Sequence, residues 1–138
     1  MADTKPPKIL VVDDESDVTE LVAYHLKAKG FQVEVVNNPN SSIGTARSFL
    51  PDLVILDVMM PDLNGWQLLH QLKASPATAS IPVVMLTVFA ESTTGYVLGA
   101  DDYLIKPIRS DVLLNTLRHV IASRESSSKA SKRETQPV

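Results

Sequence analysis

Residues 8–15 of the 138-residue chain read Lys-Ile-Leu-Val-Val-Asp-Asp-Glu, an aliphatic run that ends in three acidic residues. A run of aliphatic side chains with little alternation is typical of a strand that is buried on both faces of a sheet. Comparable runs occupy residues 31–36, 53–56, 81–86 and 103–105. The sequence therefore predicts five short strands, most of them buried.

The segments between these runs have the apolar spacing of helices. In the first, Val18, Val22 and Leu26 fall on one face, and Gly30 is placed to end the helix. Further helices are predicted around residues 43–50, 68–72, 91–98 and 112–121. Strands that alternate with helices predict a single doubly wound α/β domain, with right-handed crossovers and helices on both faces of a parallel sheet.

Composition and charge exclude several classes of function. The absence of cysteine excludes a disulfide framework and a thiolate metal site. The net charge of -3 argues against tight electrostatic binding to nucleic acid. No apolar run reaches the roughly 18 residues of a membrane span, and the N-terminus lacks a signal-peptide pattern. We therefore expect a cytoplasmic protein without membrane insertion and without direct nucleic-acid binding.

The ends of the chain differ from its centre. Residues 1–7 contain Pro6-Pro7 and are predicted to form a flexible lead-in to a domain at residues 8–122. Residues 123–138 are rich in serine, carry a basic excess and have no apolar period. This segment is predicted to be a flexible tail or the start of a linker.

Polar residues stand at the predicted strand ends, where ligands bind in doubly wound sheets. Asp13 and Asp14 follow the first strand, Asp57 the third, Thr87 the fourth and Lys106 the fifth. Three clustered carboxylates repel one another unless a cation lies between them, and oxygen ligands without His or Cys favour Mg²⁺. A metal clamp, a carboxylate nucleophile, a lysine and a hydroxyl are the groups that phosphoryl transfer to a carboxylate requires.

Four motifs together resemble the receiver domain of bacterial two-component response regulators. They lie at residues 9–15, 56–65, 84–87 and 99–107, in the order and at spacings similar to those of the family. The resemblance covers about residues 8–122. It implies a flavodoxin-like parallel sheet with strand order 2-1-3-4-5.

The resemblance also implies which residues bind the metal and the phosphoryl group. Asp57 corresponds to the phosphoacceptor. Asp13 and Asp14 correspond to the acidic pair that holds Mg²⁺ together with Asp57, and Met59 to the residue whose backbone carbonyl contacts the metal.

Further positions correspond to the family's switch. Lys106 and Thr87 would bind the phosphoryl oxygens, Thr87 would move toward them, and Tyr103 would change rotamer with it. The Lys106–Pro107 peptide bond is expected to be cis. Phosphorylation would then shift the population of two conformations of the fourth helix, fifth strand and fifth helix.

The chain departs from the family's usual pattern after Thr87. Val88 stands where alanine is frequent, Phe89 follows it, and the stretch to Lys106 is about one helical turn shorter than usual. This departure leaves open how the short fourth helix affects output. Met59 and Phe89 flank the expected path of water, and we hypothesise that their bulk slows loss of the phosphoryl group.

The implied function is that of a phosphoacceptor receiver. A sensor histidine kinase or a histidine phosphotransfer protein would supply the phosphoryl group, and the switched face would control a protein target or form a homodimer. Such a protein promotes only its own phosphorylation and dephosphorylation and is not otherwise an enzyme. The same site is also expected in a receiver fragment of a larger regulator or hybrid kinase.

Functions of other classes agree less well with the motifs. An aspartyl-phosphate phosphatase or phosphotransferase of the haloacid-dehalogenase type needs Asp-x-Asp after a strand, whereas Asp57 precedes Val58-Met59. A flavodoxin-like FMN binder needs a Ser/Thr/Gly-rich phosphate loop after the first strand, where Asp13-Asp14-Glu15 would repel phosphate. A third alternative, a protein that has the receiver fold but is never phosphorylated, also stays open.

Overall fold

A parallel sheet of five strands in the order β2-β1-β3-β4-β5 forms the centre of the computed structural model. The structure describes residues 5–61, 64–88 and 99–134, with residues 124–134 described by their backbone alone. The predicted fold class and strand order are confirmed. The strands are Lys8–Val12 (β1), Gln32–Val36 (β2), Leu53–Asp57 (β3), Val83–Thr87 (β4) and Asp102–Ile105 (β5). The helices are Ser16–Ala28 (α1), Ser42–Phe49 (α2), Gly65–Ala74 (α3) and a C-terminal helix, Ser110–Glu134, and a 3-10 turn covers Pro39–Ser41.

The sheet separates two hydrophobic cores. Because successive side chains of a strand point to opposite faces, neighbouring residues of one strand enter different cores. In β1, Leu10 and Val12 pack with α2 and α3, whereas Ile9 and Val11 pack with α1 and the C-terminal helix. The helices of both faces therefore hold the central strands, and with them the strand ends, in fixed positions.

The turn between α1 and β2 shows why β2 begins one residue later than predicted. Gly30 adopts a left-handed conformation with φ 92°, and its N–H donates to the Lys27 carbonyl. The Phe31 N–H donates to the Leu26 carbonyl, which completes a Schellman motif. Phe31 is thereby engaged in closing the helix, and the strand starts at Gln32.

The C-terminal helix differs from the sequence expectation. It continues to Glu134, whereas the sequence predicted a flexible tail from Ser123. The prediction relied on apolar periodicity, which stops at Ile121, but residues 110–134 contain neither glycine nor proline. Serine, lysine, arginine and glutamate are compatible with helix even without an apolar face, so the helix does not have to end where packing ends. The domain boundary at residue 122 stays a prediction.

Two sequence expectations concern parts of the chain that the structure covers incompletely. The predicted fourth helix, residues 91–98, lies outside the described residues. Among the helices that are described, none combines the length and apolar character needed to cross a membrane.

The loop from β3 to α3 places a helix start directly against the strand end that carries Asp57. Asn64 caps the helix, because its side chain accepts a hydrogen bond of 2.7 Å from the Trp66 N–H. The Gly65 N–H donates to the Val58 carbonyl at 2.8 Å. A Cβ atom at residue 65 would collide with the Asp57 carbonyl oxygen and lie 2.8 Å from Val58 Cα. Only glycine allows this close approach.

We expect Gly65→Ala to destabilise the fold by about 1–3 kcal/mol, because a rigid backbone rather than a flexible side chain occupies the space. Gly44→Ala is the matched control, since Gly44 lies inside α2 and a Cβ there meets nothing within 4 Å. That control should stabilise by up to about 1 kcal/mol, because alanine is the better helix former. Urea unfolding of both variants measures the difference; equal changes would contradict the proposed collision.

Candidate functional site

The parallel register of the sheet brings the predicted site residues to one edge. Val12 pairs with Leu56 in β1 and β3, Asp57 pairs with Leu86 in β3 and β4, and Thr87 pairs with Ile105 in β4 and β5. Because the strands are parallel, the residues that follow them meet at their carboxyl ends. The structure thus assembles groups that are far apart in the sequence.

Three carboxylates form an acidic pocket at this edge. Asp13, Asp14 and Asp57 each offer an oxygen atom, and these atoms lie within 4.8 Å of one another. Asp13 is fully buried, Asp57 is 3% exposed, and Asp14 is only half-buried. Buried carboxylates at this spacing are costly unless a cation compensates them.

The ammonium group of Lys106 supplies part of that compensation. Its Nζ lies 3.0 Å from Asp13 Oδ2, 3.2 Å from Asp57 Oδ1 and 3.7 Å from Glu15 Oε1. The Lys106 N–H also donates to the Thr87 carbonyl at 2.8 Å, which fixes the start of the loop after β5. The Lys106–Pro107 peptide bond is cis, the isomer expected from the resemblance.

The pocket shifts the pKa values of three of its groups. Burial and the neighbouring charge of Asp13 raise the pKa of Asp57 to about 6, although Lys106 acts in the opposite direction. Burial and Asp13 also raise the pKa of Asp14. Burial disfavours the charged form of Lys106, but its contacts with Asp13 and Asp57 outweigh burial and raise its pKa. One ammonium therefore does not neutralise the pocket fully.

Two buried oxygens of the pocket have no hydrogen bond in the described part of the chain: Asp13 Oδ2, which lies 3.0 Å from the Lys106 ammonium, and Asp57 Oδ2. The other oxygen of Asp57, Oδ1, contacts Lys106. An all-oxygen donor set with a surplus of negative charge and an unpaired buried oxygen is what a hard divalent cation requires. The residues present are thus consistent with the metal site of a receiver domain.

The remaining predicted site residues lie around this pocket or outside the described residues. Thr87 is buried at the end of β4, and Tyr103 is half-buried against the core that contains α2 and α3. The Met59 side chain is 64% exposed, while the adjacent Met60 is buried. Phe89 lies outside the described residues.

Sequence reasoning overlooked one residue at this edge. Asn37 follows β2, and its side-chain amide donates to the Asp13 carbonyl and to Thr19 Oγ1, both at 2.9 Å. The rule that site residues follow strands would have pointed to Asn37. It was missed because asparagine is also an ordinary turn residue.

Comparison with known proteins identifies the kind of domain to which this pocket belongs. The family model described as "Response regulator receiver domain" matches residues 9–118. The phosphate regulon transcriptional regulatory protein PhoB of Rhizobium meliloti is 36% identical over 118 residues, which is 83% of this chain and 52% of that protein. The chain spans about half the length of the curated relatives it matches.

Solved structures of similar length share the fold. A response regulator from Chloroflexus aurantiacus superposes with a TM-score of 0.80 at 30% identity, covering 86% of this chain and 99% of that one. The chemotaxis response regulator CheY4 of Vibrio cholerae gives a TM-score of 0.79 at 28% identity, covering 85% and 99%.

The raised pKa of Asp57 predicts how stability depends on pH in metal-free protein. Well below pH 4 the carboxyl is protonated in folded and unfolded chains alike. Between pH 4 and pH 6 only the unfolded chain ionises, so stability falls as the pH rises. Asp57→Asn removes this penalty and should be more stable than the wild type at pH 7.5 by up to about 3 kcal/mol, with little difference at pH 4.

Urea unfolding in the presence of EDTA at these two pH values measures the effect. Glu20→Gln, which neutralises an exposed carboxylate of α1, is the control and should show no comparable gain. A wild type as stable as Asp57→Asn at pH 7.5 would show that ionised Asp57 carries no penalty.

Proposed function

Because the chain belongs to the response regulator receiver domain family, we propose that it is a phosphoacceptor receiver, which takes a phosphoryl group from a phosphohistidine onto Asp57. One observation supports the assignment to Asp57 above all. This carboxylate is 3% exposed and lies within an acidic cluster; one of its oxygens contacts the ammonium of Lys106, and the other has no hydrogen-bond partner among the residues that the structure describes.

The proposed reaction exchanges one bond for another. An oxygen of the Asp57 carboxylate attacks phosphorus, and a phosphorus–oxygen bond forms as the phosphorus–nitrogen bond to the donor imidazole breaks. The imidazole leaves with the electron pair and takes up a proton. Asp57 must be ionised to attack, and its pKa of about 6 leaves it mostly ionised at pH 7 or above.

Lys106 and Thr87 position and stabilise the phosphoryl group in this proposal. The Lys106 ammonium lies 3.2 Å from Asp57 Oδ1, close enough to contact a phosphoryl oxygen attached to that carboxylate. Thr87 ends β4, and its backbone carbonyl accepts a hydrogen bond from the Lys106 N–H. Its hydroxyl is suited to donate to a second phosphoryl oxygen.

Mg²⁺ is the metal that we propose for the pocket, with Asp13, Asp14, Asp57 and the backbone carbonyl of Met59 as ligands. When bound, it would neutralise the negative charge of the carboxylates, which otherwise repels an incoming phosphoryl group. Asp13 is already fixed for this role because its Oδ1 accepts the Glu15 N–H at 3.0 Å. Asp14, half-buried, is the member of the cluster nearest solvent.

Phosphorylation changes output through a population shift. New contacts of Thr87 and Lys106 with the phosphoryl group favour one of two conformations, and a few kcal/mol are enough for such a switch. Tyr103, half-buried on β5 two strand positions before Ile105, is proposed to change rotamer with Thr87. The surface that responds comprises the segment after β4, β5 and the C-terminal helix.

The partners follow from the chemistry of the site. A sensor histidine kinase or a histidine phosphotransfer protein supplies the phosphoryl group in the cytoplasm, and a protein target or a second copy of the chain reads the switched surface. The relatives named as transcriptional regulators are about twice as long as the matched region, so their DNA binding is not assigned to this chain. Beyond promoting its own phosphorylation and dephosphorylation, the receiver has no proposed catalytic activity.

Intact-mass measurement after incubation with acetyl phosphate and Mg²⁺ tests this proposal. The wild type should gain one phosphoryl group, and the gain should disappear without Mg²⁺ or in Asp57→Asn. Asp52→Asn is the matched control, because Asp52 is exposed just before the opposite end of β3 and its Oδ2 accepts the Lys8 N–H there. Failure of the wild type to gain mass while it still binds Mg²⁺ would favour a receiver that is not phosphorylated.

The phosphoryl lifetime provides a second test, aimed at Met59. On the proposal that the bulk of the Met59 side chain, which is 64% exposed, shields the pocket from water, we expect Met59→Ala to shorten the lifetime about threefold, a change of less than 1 kcal/mol. The same direction is expected for Phe89→Ala. Tyr24→Ala, which truncates an exposed side chain on α1, is the control. A longer lifetime in either variant would contradict shielding.

A further inference from the structure

We propose that Asn37 is a positioning residue of the metal pocket, which holds the Asp13 main chain and the first turn of α1 in the geometry that binds a divalent cation. The inference rests on the proposed function, because it assigns the pocket a cation. The hydrogen bonds of the Asn37 side chain go to the Asp13 carbonyl and to Thr19 Oγ1, so its role is assigned through the residues that it holds and not as a metal ligand.

The amide group of Asn37 makes two hydrogen bonds in a defined direction. Nδ2 donates to the Asp13 carbonyl at 2.9 Å and to Thr19 Oγ1 at 2.9 Å. A carbonyl oxygen can only accept, so the nitrogen rather than the oxygen of the amide must face Asp13. The Thr19 hydroxyl in turn donates to the Ser16 carbonyl at 3.0 Å. Both hydrogens of the amide are used.

The side chain of Asn37 adds one hydrogen bond to the β1–β2 pair after the last backbone hydrogen bond between the two strands. The Asp13 N–H donates to the Val36 carbonyl at 3.1 Å, as in a regular parallel pair. The next bond of such a pair would join the Asp13 carbonyl to a main-chain N–H of the neighbouring strand. The chain instead turns toward Pro39, and the side-chain amide of Asn37 supplies the donor.

As a result, Asp13 is held at three atoms besides its contact with Lys106. Its N–H, its carbonyl and its Oδ1 are engaged by Val36, Asn37 and the Glu15 N–H, respectively. Its Oδ2 lies 3.0 Å from Lys106 Nζ. The Thr19 contact anchors the other end of the short loop, residues 13–16, that carries the acidic pair.

The expected effect is moderate because Asn37 itself is exposed, although Asp13 and Thr19 are fully buried. Water can replace part of what the amide provides. Outer-shell partners of metal ligands commonly change affinity by 10- to 100-fold. For an exposed partner we expect the lower end, about tenfold weaker Mg²⁺ binding in Asn37→Ala.

Calorimetric titration of the variants with MgCl₂ tests the role. Asn38→Ala is the matched control: Asn38 is the next residue and also exposed, but its side chain accepts the Asn40 N–H at 3.0 Å and makes no hydrogen bond to Asp13. Asn38→Ala should bind Mg²⁺ as the wild type does. Thr19→Val should weaken binding less than Asn37→Ala, and the two effects should not add, because both break one hydrogen-bonded chain.

Hydrogen exchange in metal-free protein gives a readout that does not depend on Mg²⁺. In Asn37→Ala the amide hydrogens of Asp13 and Glu15 should exchange faster than in the wild type, while those of β3 and β4 keep their protection. Uniformly faster exchange with unchanged Mg²⁺ affinity would assign Asn37 a structural role only and overturn the inference.

The outcomes separate this inference from the function on which it rests. Wild-type protein that binds Mg²⁺ and gains a phosphoryl group, together with Asn37→Ala that binds Mg²⁺ equally tightly, overturns the positioning role alone. Wild-type protein that neither binds Mg²⁺ nor gains a phosphoryl group overturns both. Selective loss of Mg²⁺ affinity and of Asp13 and Glu15 protection in Asn37→Ala supports both the role and the pocket.

Discussion

The contact of the Lys106 ammonium with Asp13 and Asp57 is the interaction on which the site depends. Asp13 and Asp57 are both buried away from water, so their carboxylates could not stay close together without a positive charge between them. The compensation is incomplete, since the pKa of Asp57 is still raised to about 6. The folded protein therefore holds an excess of negative charge that binding of a cation would relieve. This excess charge makes the metal-free fold less stable than it would be with a neutral pocket. The same charge would attract a cation to the pocket.

The fold makes such a pocket possible because the residues that pack in the core lie within the strands, whereas the residues of the site lie at the strand ends. Along each central strand the side chains divide between two cores, as Leu10 and Ile9 do in β1. The residue that follows the strand is released from this constraint and can be polar. Parallel pairing then places the released residues of different strands at one edge. Asp13 and Lys106, 93 positions apart in the sequence, meet in this way.

The sequence predicted the elements that depend on hydrophobic pattern and the acidic cluster that follows the strand ends. Five strands and the acidic cluster followed from the aliphatic runs and from what stands after them. Other features depend on distances that no pattern contains. Three features are of this kind: the closeness of Gly65 to the Asp57 carbonyl, the lack of a hydrogen bond to Asp57 Oδ2 within the described chain, and the contact of Asn37 with Asp13. The helix beyond Ile121 was missed for another reason, because helix propensity continued where apolar periodicity stopped.

The length of the C-terminal helix has a mechanical consequence. Its 25 residues span about 37 Å at 1.5 Å per residue. The helix begins at Ser110, only four positions after Lys106, whose charge is anchored among the carboxylates. A lever of this length turns a tilt of about 5° at its base into a displacement of roughly 3 Å at its far end. A tilt too small to disturb the packing of the two cores can thus move the far end of the helix by a distance comparable to the length of a side chain.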